Sequence, residues 1–355
     1  MLSLPYLLGS FRAYRGESDL DNALRCSSQW IRALVVCSGL LLAVLVTGCG
    51  TGGEPPIIFT SDRNGDLEIY SVSLDSGEQV NLTTSIADEF SPVVSPDGKL
   101  VAFLSKTGDN AGIEVMGMNG QERLPLTIGT GPHRSQRWSP ESGRIAYVVD
   151  QNGSSSIYLV NIEGSERMLL TSIPGDEVGD WSGDGKSVVF TVRGGNDQGI
   201  YIRNPDGVNE LRITETPDYN PVWSPDSLRI AFLSTRDGNA DIYIIGADGS
   251  GQKRVTETDD SEYHLSWSPN GKRLLFVSER DGNPEIYVAD PDGSMQIRLT
   301  NNKAVDEHPV WSPNGKKIAF VSRLDGDAEI FVMDSDGGNQ VRLTNNEFED
   351  STPSW

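Results

Sequence analysis

The chain repeats one phrase at a nearly fixed step, and that repeat limits the folds open to it. Trp138, Trp181, Trp223, Trp267, Trp311 and Trp355 occupy the same slot in successive copies, and Val94 of "SPVVSPDGK" fills it upstream. The steps are 44, 43, 42, 44, 44 and 44 residues. A second phrase keeps the same time through Tyr70, Glu114, Tyr158, Tyr201, Tyr243, Tyr287 and Phe331. Two independent phrases in step exclude coincidence. A period of this length marks a unit that buries its apolar faces only by packing against copies of itself. Seven copies fill residues 57–355.

Each copy divides into four short segments of the kinds "HPVWS", "RLLFVS", "EIYVAD" and "IRLT". They alternate or run apolar and are rich in Val, Ile, Phe and Tyr, which is strand chemistry. "SPDGK", "SPNGK" or "SGDGK" joins the first segment to the second. Here Pro presets φ, Asp or Asn tolerates the turn, and Gly supplies positive φ. "DPDG", "DSDG" or "GADG" joins the third to the fourth in the same way. With 38 Gly and 19 Pro the composition favours many short strands over long helices.

Four antiparallel strands per repeat describe one propeller blade. The expected fold is therefore all-β, a seven-bladed β-propeller of four-stranded antiparallel blades over residues 57–355. The first copy, from "IIFTS" onward, lacks a leading "WSP" strand, and the last ends on "STPSW". One blade of three strands and one orphan strand complete each other. The C-terminal strand is expected to pair with the N-terminal three and close the ring, removing open edges. One Trp per blade, at a regular place on the innermost strand, reads as a packing wedge between blades.

The phrases "PVWSPNGKKIAFVS", "DGNPEIYVAD" and "IRLT" resemble the TolB-type, WD-repeat-like propeller repeats over roughly 300 residues. The resemblance implies a propeller and partners among other cell-envelope proteins. Two departures stand out. TolB-type proteins carry an α/β domain ahead of the propeller, for which residues 49–57 leave no room, and their ring has six blades against seven here.

Residues 31–49, "IRALVVCSGLLLAVLVTGC", place a basic flank before an apolar run and small residues. That is the layout of a secretory signal, and the run is short for a membrane span of about 20 residues. "VTGC" at 46–49 resembles the bacterial lipobox. The resemblance implies a signal peptide over 1–48, cleavage before Cys49, lipidation of Cys49, a short tether over 49–56 and anchorage to a membrane. A transmembrane anchor and an unlipidated signal are the alternatives. The 30 residues before the apolar run are atypical of a leader and point to a start codon placed too early.

Cys26 and Cys37 would leave with the leader, so Cys49 would be the only thiol and the exported domain would hold no disulfide. The net charge is −22, and the part after residue 48 carries 25 basic against 48 acidic residues. So acidic a surface repels nucleic acid and anionic headgroups, and no nucleic-acid partner is expected. A monomer is expected.

Catalytic motifs are absent from the sequence: it has no HExxH, CxxC, P-loop or GxSxG. The loops from fourth to first strands are acidic, as in "IPGDEVGD", "TETDDSEYH", "KAVDEH" and "NEFEDS". They should ring the channel mouth, which makes Glu177, Tyr263, His264, Asp306, Glu307, His308, Glu349 and Asp350 the candidate binding residues. His264 and His308 stand three residues before their Trp in neighbouring blades. Imidazole with carboxylate there is chemistry for a divalent metal such as Ca²⁺ or Mn²⁺, or for acid–base work. The latter resembles the seven-bladed oligogalacturonate lyases. Loop residues are polar by default, so a plain binding rim is the simpler reading and no cofactor is assigned. "SDRNGDLE", "RDGNAD" and "RLDGDAE" have Ca²⁺-loop acid spacing but lack the bidentate Glu at the twelfth position. They read as turns, with Arg236 or Arg280 pairing an acid on the adjacent strand.

Three functions remain open on the sequence. The leading one is an envelope lipoprotein whose propeller is a non-enzymatic protein-binding module. The second is a carbohydrate-active, lyase-like enzyme or a sugar- or metal-binding propeller. The third is a spacer.

Overall fold

The computed structural model describes residues 54–108, 110–127, 132–151, 153–171 and 177–355. Cys49 and the leader lie outside them. Among the described residues there is no helix, and the strands form seven separate four-stranded antiparallel sheets. Blade 1 combines Ile57–Ser61, Glu68–Val72 and Gln79–Asn81 with Asp350–Ser354 as its innermost strand. Blades 2 to 7 follow in chain order, opening on Asp88, His133, Glu177, Tyr219, Glu262 and Asp306. In each, the first strand is innermost and the fourth outermost.

Closure is as the repeat count predicts. Ile58 pairs with Ser354, Thr60 with Ser351 and Ser61 with Asp350. The Thr60 and Thr352 hydroxyls meet at 2.8 Å, and Val94 N–H donates to Ser354 Oγ across the next seam at 2.9 Å.

The cores lie between blades. The second strands contribute Phe59, Phe103, Tyr147, Phe190, Phe232, Phe276 and Phe320, the largest fully buried side chains, one per blade. Where the third strand offers an aromatic partner the two rings pack, as for Phe276 and Tyr287 at 5.8 Å. The six described tryptophans are wedges, as expected, none more than 9% exposed. Three of their indole N–H groups also stitch seams. Trp138 donates to Val93 O at 2.9 Å, Trp181 to Arg137 O and Trp267 to Val222 O, each on the preceding blade's innermost strand. A Trp does both jobs because it is large and apolar with one polar tip.

Candidate functional site

Every innermost strand carries a β-bulge between its first residues and its Trp. In six of the seven, the residue three before the Trp slot has positive φ: Ser91, Ser135, Asn220, His264, His308 and Thr352, at 48–57°. Positive φ is uncommon outside glycine, and a bulge re-aims a side chain. Repetition around the ring makes these residues one tier of the channel wall. Four are hydroxyls or an amide, and two, side by side, are imidazoles.

His264 and His308 stack across the blade 6–7 seam with ring centroids 4.0 Å apart and planes at 37°. The His308 backbone N–H donates to His264 Nδ1 at 3.3 Å. That bond assigns the proton of neutral His264 to Nε2, so neither ring nitrogen has a free lone pair. His264 therefore accepts at Nδ1 and carries its proton on Nε2. Among the described residues no group of three or more His, Cys, Asp or Glu is arranged to hold a metal ion. Tyr263 stands edge-on to His264, with centroids 5.1 Å apart. Burial, with Glu279 and Glu307 nearby, pushes the Tyr263 hydroxyl up to about 12.

Burial, with the neighbouring His308, pulls His264 down to about 3. Burial and Arg323 lower His308 as well, and Glu307 opposes them. A base held below its usual 6.5 stabilises the fold above that pH and loses the contribution as pH falls toward the folded value. Wild type should therefore lose on the order of 2 kcal/mol more than His264→Gln between pH 7 and pH 4. Parallel stability–pH curves from denaturant melts would sink the assignment.

The candidate residues divide. Glu177 opens blade 4's innermost strand, accepts from Arg193 at 3.1 Å and faces the Asn220 amide. Glu349 accepts from Arg323 Nη1 at 3.0 Å, and its N–H donates to Asp62. Glu307, Tyr263 and the two histidines are half-buried around the seam. Asp306 and Asp350 are not on the rim, because both are fully buried at the first position of their strands. Asp350 is clamped by Arg63 at 2.9 and 2.8 Å. The expected pairings of Arg236 and Arg280 are present, with Asp218 at 2.8 Å and Glu262 at 3.1 Å. Guanidinium–carboxylate pairing thus occurs in all three Ca²⁺-like stretches, through Arg63 on Asp350, Arg236 on Asp218 and Arg323 on Glu349.

Sequence reasoning missed a set of buried acids that open third strands: Glu68, Asp241, Glu285 and Glu329, at most 3% exposed. Each precedes an Ile-aromatic pair in the same register, and that was the available signal. The fourth-strand Thr of each blade backs this arrangement. Thr83, Thr256, Thr300 and Thr344 accept from the N–H that follows the acid at 2.8–2.9 Å.

The family description "TolB beta propeller domain" matches residues 110–267 and 264–355. The chain belongs to the TolB β-propeller family. A TolB homolog from Chlorobium luteolum is 32% identical over 159 residues, which is 44% of this chain and 36% of that protein. A Tol-Pal system protein TolB from Francisella tularensis is 30% identical over 95 residues, 26% of this chain and 22% of that one. The chain thus spans well under half the length of these relatives. Among solved structures, TolB from Acinetobacter baumannii superimposes with TM-score 0.59 at 19% identity, over 85% of this chain and 66% of that one. An oligogalacturonate lyase in complex with manganese gives 0.63 at 15% identity, over 78% and 85%. At these identities the structural likeness is one of fold alone.

Proposed function

We propose that this TolB-family propeller is a cell-envelope lipoprotein, anchored through Cys49, that acts as a non-enzymatic docking module for other envelope proteins. The face made by the fourth-to-first and second-to-third strand turns is the docking surface. The observation that carries this reading is how that face spends its charge. Arg63, Arg236 and Arg280 are turned inward onto buried carboxylates. Asp237, Glu257, Asp259, Asp260, Glu279 and Glu347 are left exposed. Among these acids, apolar side chains also stand in solvent: Ile86 is 93% exposed, Leu324 53% and Phe348 42%. Exposed apolar anchors inside a charged rim are what a protein interface needs, and an acidic rim favours a basic partner. The names of the TolB relatives point to the same envelope system.

The test is affinity capture from detergent-solubilised membranes with wild type, Phe348→Ala and Glu307→Lys/Glu349→Lys. None of these side chains is fully buried, so folding should survive, and circular dichroism confirms it. Partner recovery should fall about tenfold or more, as for loss of an interface anchor. Undiminished recovery by both variants would remove this face as the docking surface.

A further inference from the structure

Buried carboxyls recur in pairs twenty-one residues apart: Glu68 with Glu89, Asp241 with Glu262, Glu285 with Asp306, and Glu329 with Asp350. The first member opens the third strand of one blade, and the second lies at the start of the next blade's innermost strand. One residue ties each pair together across the seam. Ser85 donates to Glu68 through N–H and to Glu89 through its hydroxyl, at 3.1 and 2.5 Å. Asn302 joins Glu285 and Asp306 at 3.0 and 2.6 Å, and Asn346 joins Glu329 and Asp350 at 2.6 and 2.7 Å. Thr256 joins Asp241 and Glu262.

The pairs differ in their supply of positive charge. Asp241 and Glu262 take Arg254 and Arg280, while Glu329 and Asp350 take Arg342 and Arg63. Among the described residues, Glu285 and Asp306 take only Arg298, and Glu68 and Glu89 only Arg123. The buried carboxylate oxygens without a hydrogen-bond partner among the described residues are Glu89 Oε2, Glu285 Oε2 and Asp306 Oδ1. All three belong to the pairs with one guanidinium. A second buried negative charge with no counterion is costly, and two carboxyls in one site resist double ionisation.

We infer that Glu68/Glu89 and Glu285/Asp306 each retain one proton at neutral pH, making the blade 1–2 and 6–7 seams sensitive to alkali. A proton turns one orphaned acceptor into a donor for its neighbour, which answers the charge count and the unpaired oxygens together. The surrounding charges agree. Arg298 is shared between Glu285 and Asp281, and Arg123 between Glu89 and Glu114; Arg254 and Arg342 are shared likewise, with Asp237 and Asp325, but their pairs hold a second arginine. On the channel side of Asp306, Glu307 and His308 follow in the strand, and Arg323 bonds Glu349 instead. Burial pushes Asp306 and Glu68 above the usual carboxylate range. It also pushes Glu262 up; hydrogen-bond donors oppose the shift at all three, Ser322, Asn302 and Thr300 at Asp306, Thr83 and Ser85 at Glu68, and Thr256, Thr258 and Ser278 at Glu262, but only Glu262 adds an arginine, Arg280. An acid raised in the fold contributes stability while protonated and loses it as pH rises through the folded value.

One substitution separates the two kinds of pair. Leu324 stands two residues past Ser322, where Arg63, Arg236 and Arg280 follow Ser61, Ser234 and Ser278. Leu324→Arg should supply Asp306 with the missing guanidinium. Infrared spectra of the mature protein in D₂O at neutral pH should show the carbonyl stretch of a protonated carboxylic acid. Leu324→Arg should reduce that band by about half, and Glu68→Gln/Asp306→Asn should abolish it. Leu324→Arg should also unfold at higher pH than wild type in an alkaline titration followed by circular dichroism. Absence of the band in wild type, its persistence in the double variant, or an alkaline curve for Leu324→Arg that overlays wild type would each overturn the inference.

Discussion

Removing Ser351–Trp355 should cost about 4 kcal/mol or more and lower the thermal midpoint on the order of 10 °C. These five residues are most of the strand that closes the ring. They pair with Ile58 and Thr60, and without them the second strand of blade 1 is left as an open edge. Trp355 is 9% exposed in a cluster with Ile57, Phe59 and Ile330, so its removal leaves a cavity between blades 7 and 1. The indole N–H also donates to Pro55 O at 2.9 Å, which fixes the segment leading into the first strand. Losing a buried aromatic alone costs about 3–5 kcal/mol. Differential scanning calorimetry of the full and shortened proteins measures the effect. Coincident melts would mean that the ring does not depend on this strand. Trp355→Phe, which keeps the pairing and loses the indole bond, should fall between the two.

The second large effect is electrostatic. Arg63→Met should destabilise the protein by about 3–5 kcal/mol, because it leaves Asp350 buried without its counterion. Arg63 makes two bonds to that carboxylate, donates to Ser61 Oγ at 2.8 Å and lies 4.4 Å over the Tyr70 ring. Asp350 has no exposed surface. Most of the cost comes from the stranded charge, so the double variant Arg63→Met/Asp350→Asn should recover more than half of it. Urea melts of the two variants decide the matter. A loss under 1 kcal/mol in the single variant would show that Asp350 does not depend on Arg63, and no recovery in the double would show that the stack on Tyr70 and not the ion pair holds the turn.

Acid runs were where sequence and structure parted. "DEH" reads as three rim residues and the "ED" of 349–350 as two, yet Asp306 and Asp350 are buried while Glu307 and Glu349 are not. The reason is parity. Side chains alternate along a strand, so residues five apart belong on opposite faces. The bulge inserts one residue between these acids and their Trp, and five becomes the same face. Glu89, His133, Asp218 and Glu262 are buried at the same offset. Nothing in a run of Asp and Glu announces a bulge, so the division into rim acids and seam acids was out of reach. His264 and His308 were legible as neighbours, since they occupy one slot in adjacent repeats. Their stacking was not, because it depends on the positive φ that aims both rings along the channel wall.

The sequence by itself determined the blade count, the four-stranded unit, the hairpin turns, the Trp wedges and the closing strand. All of these rest on local chemistry repeated at one period, and repetition makes weak local signals agree. Tertiary structure alone decided which acids face solvent, which share a seam, and which arginines they hold. Those outcomes depend on how each blade's innermost strand bulges against its neighbour. Burial then turns the difference between one guanidinium and two into a difference in chemistry.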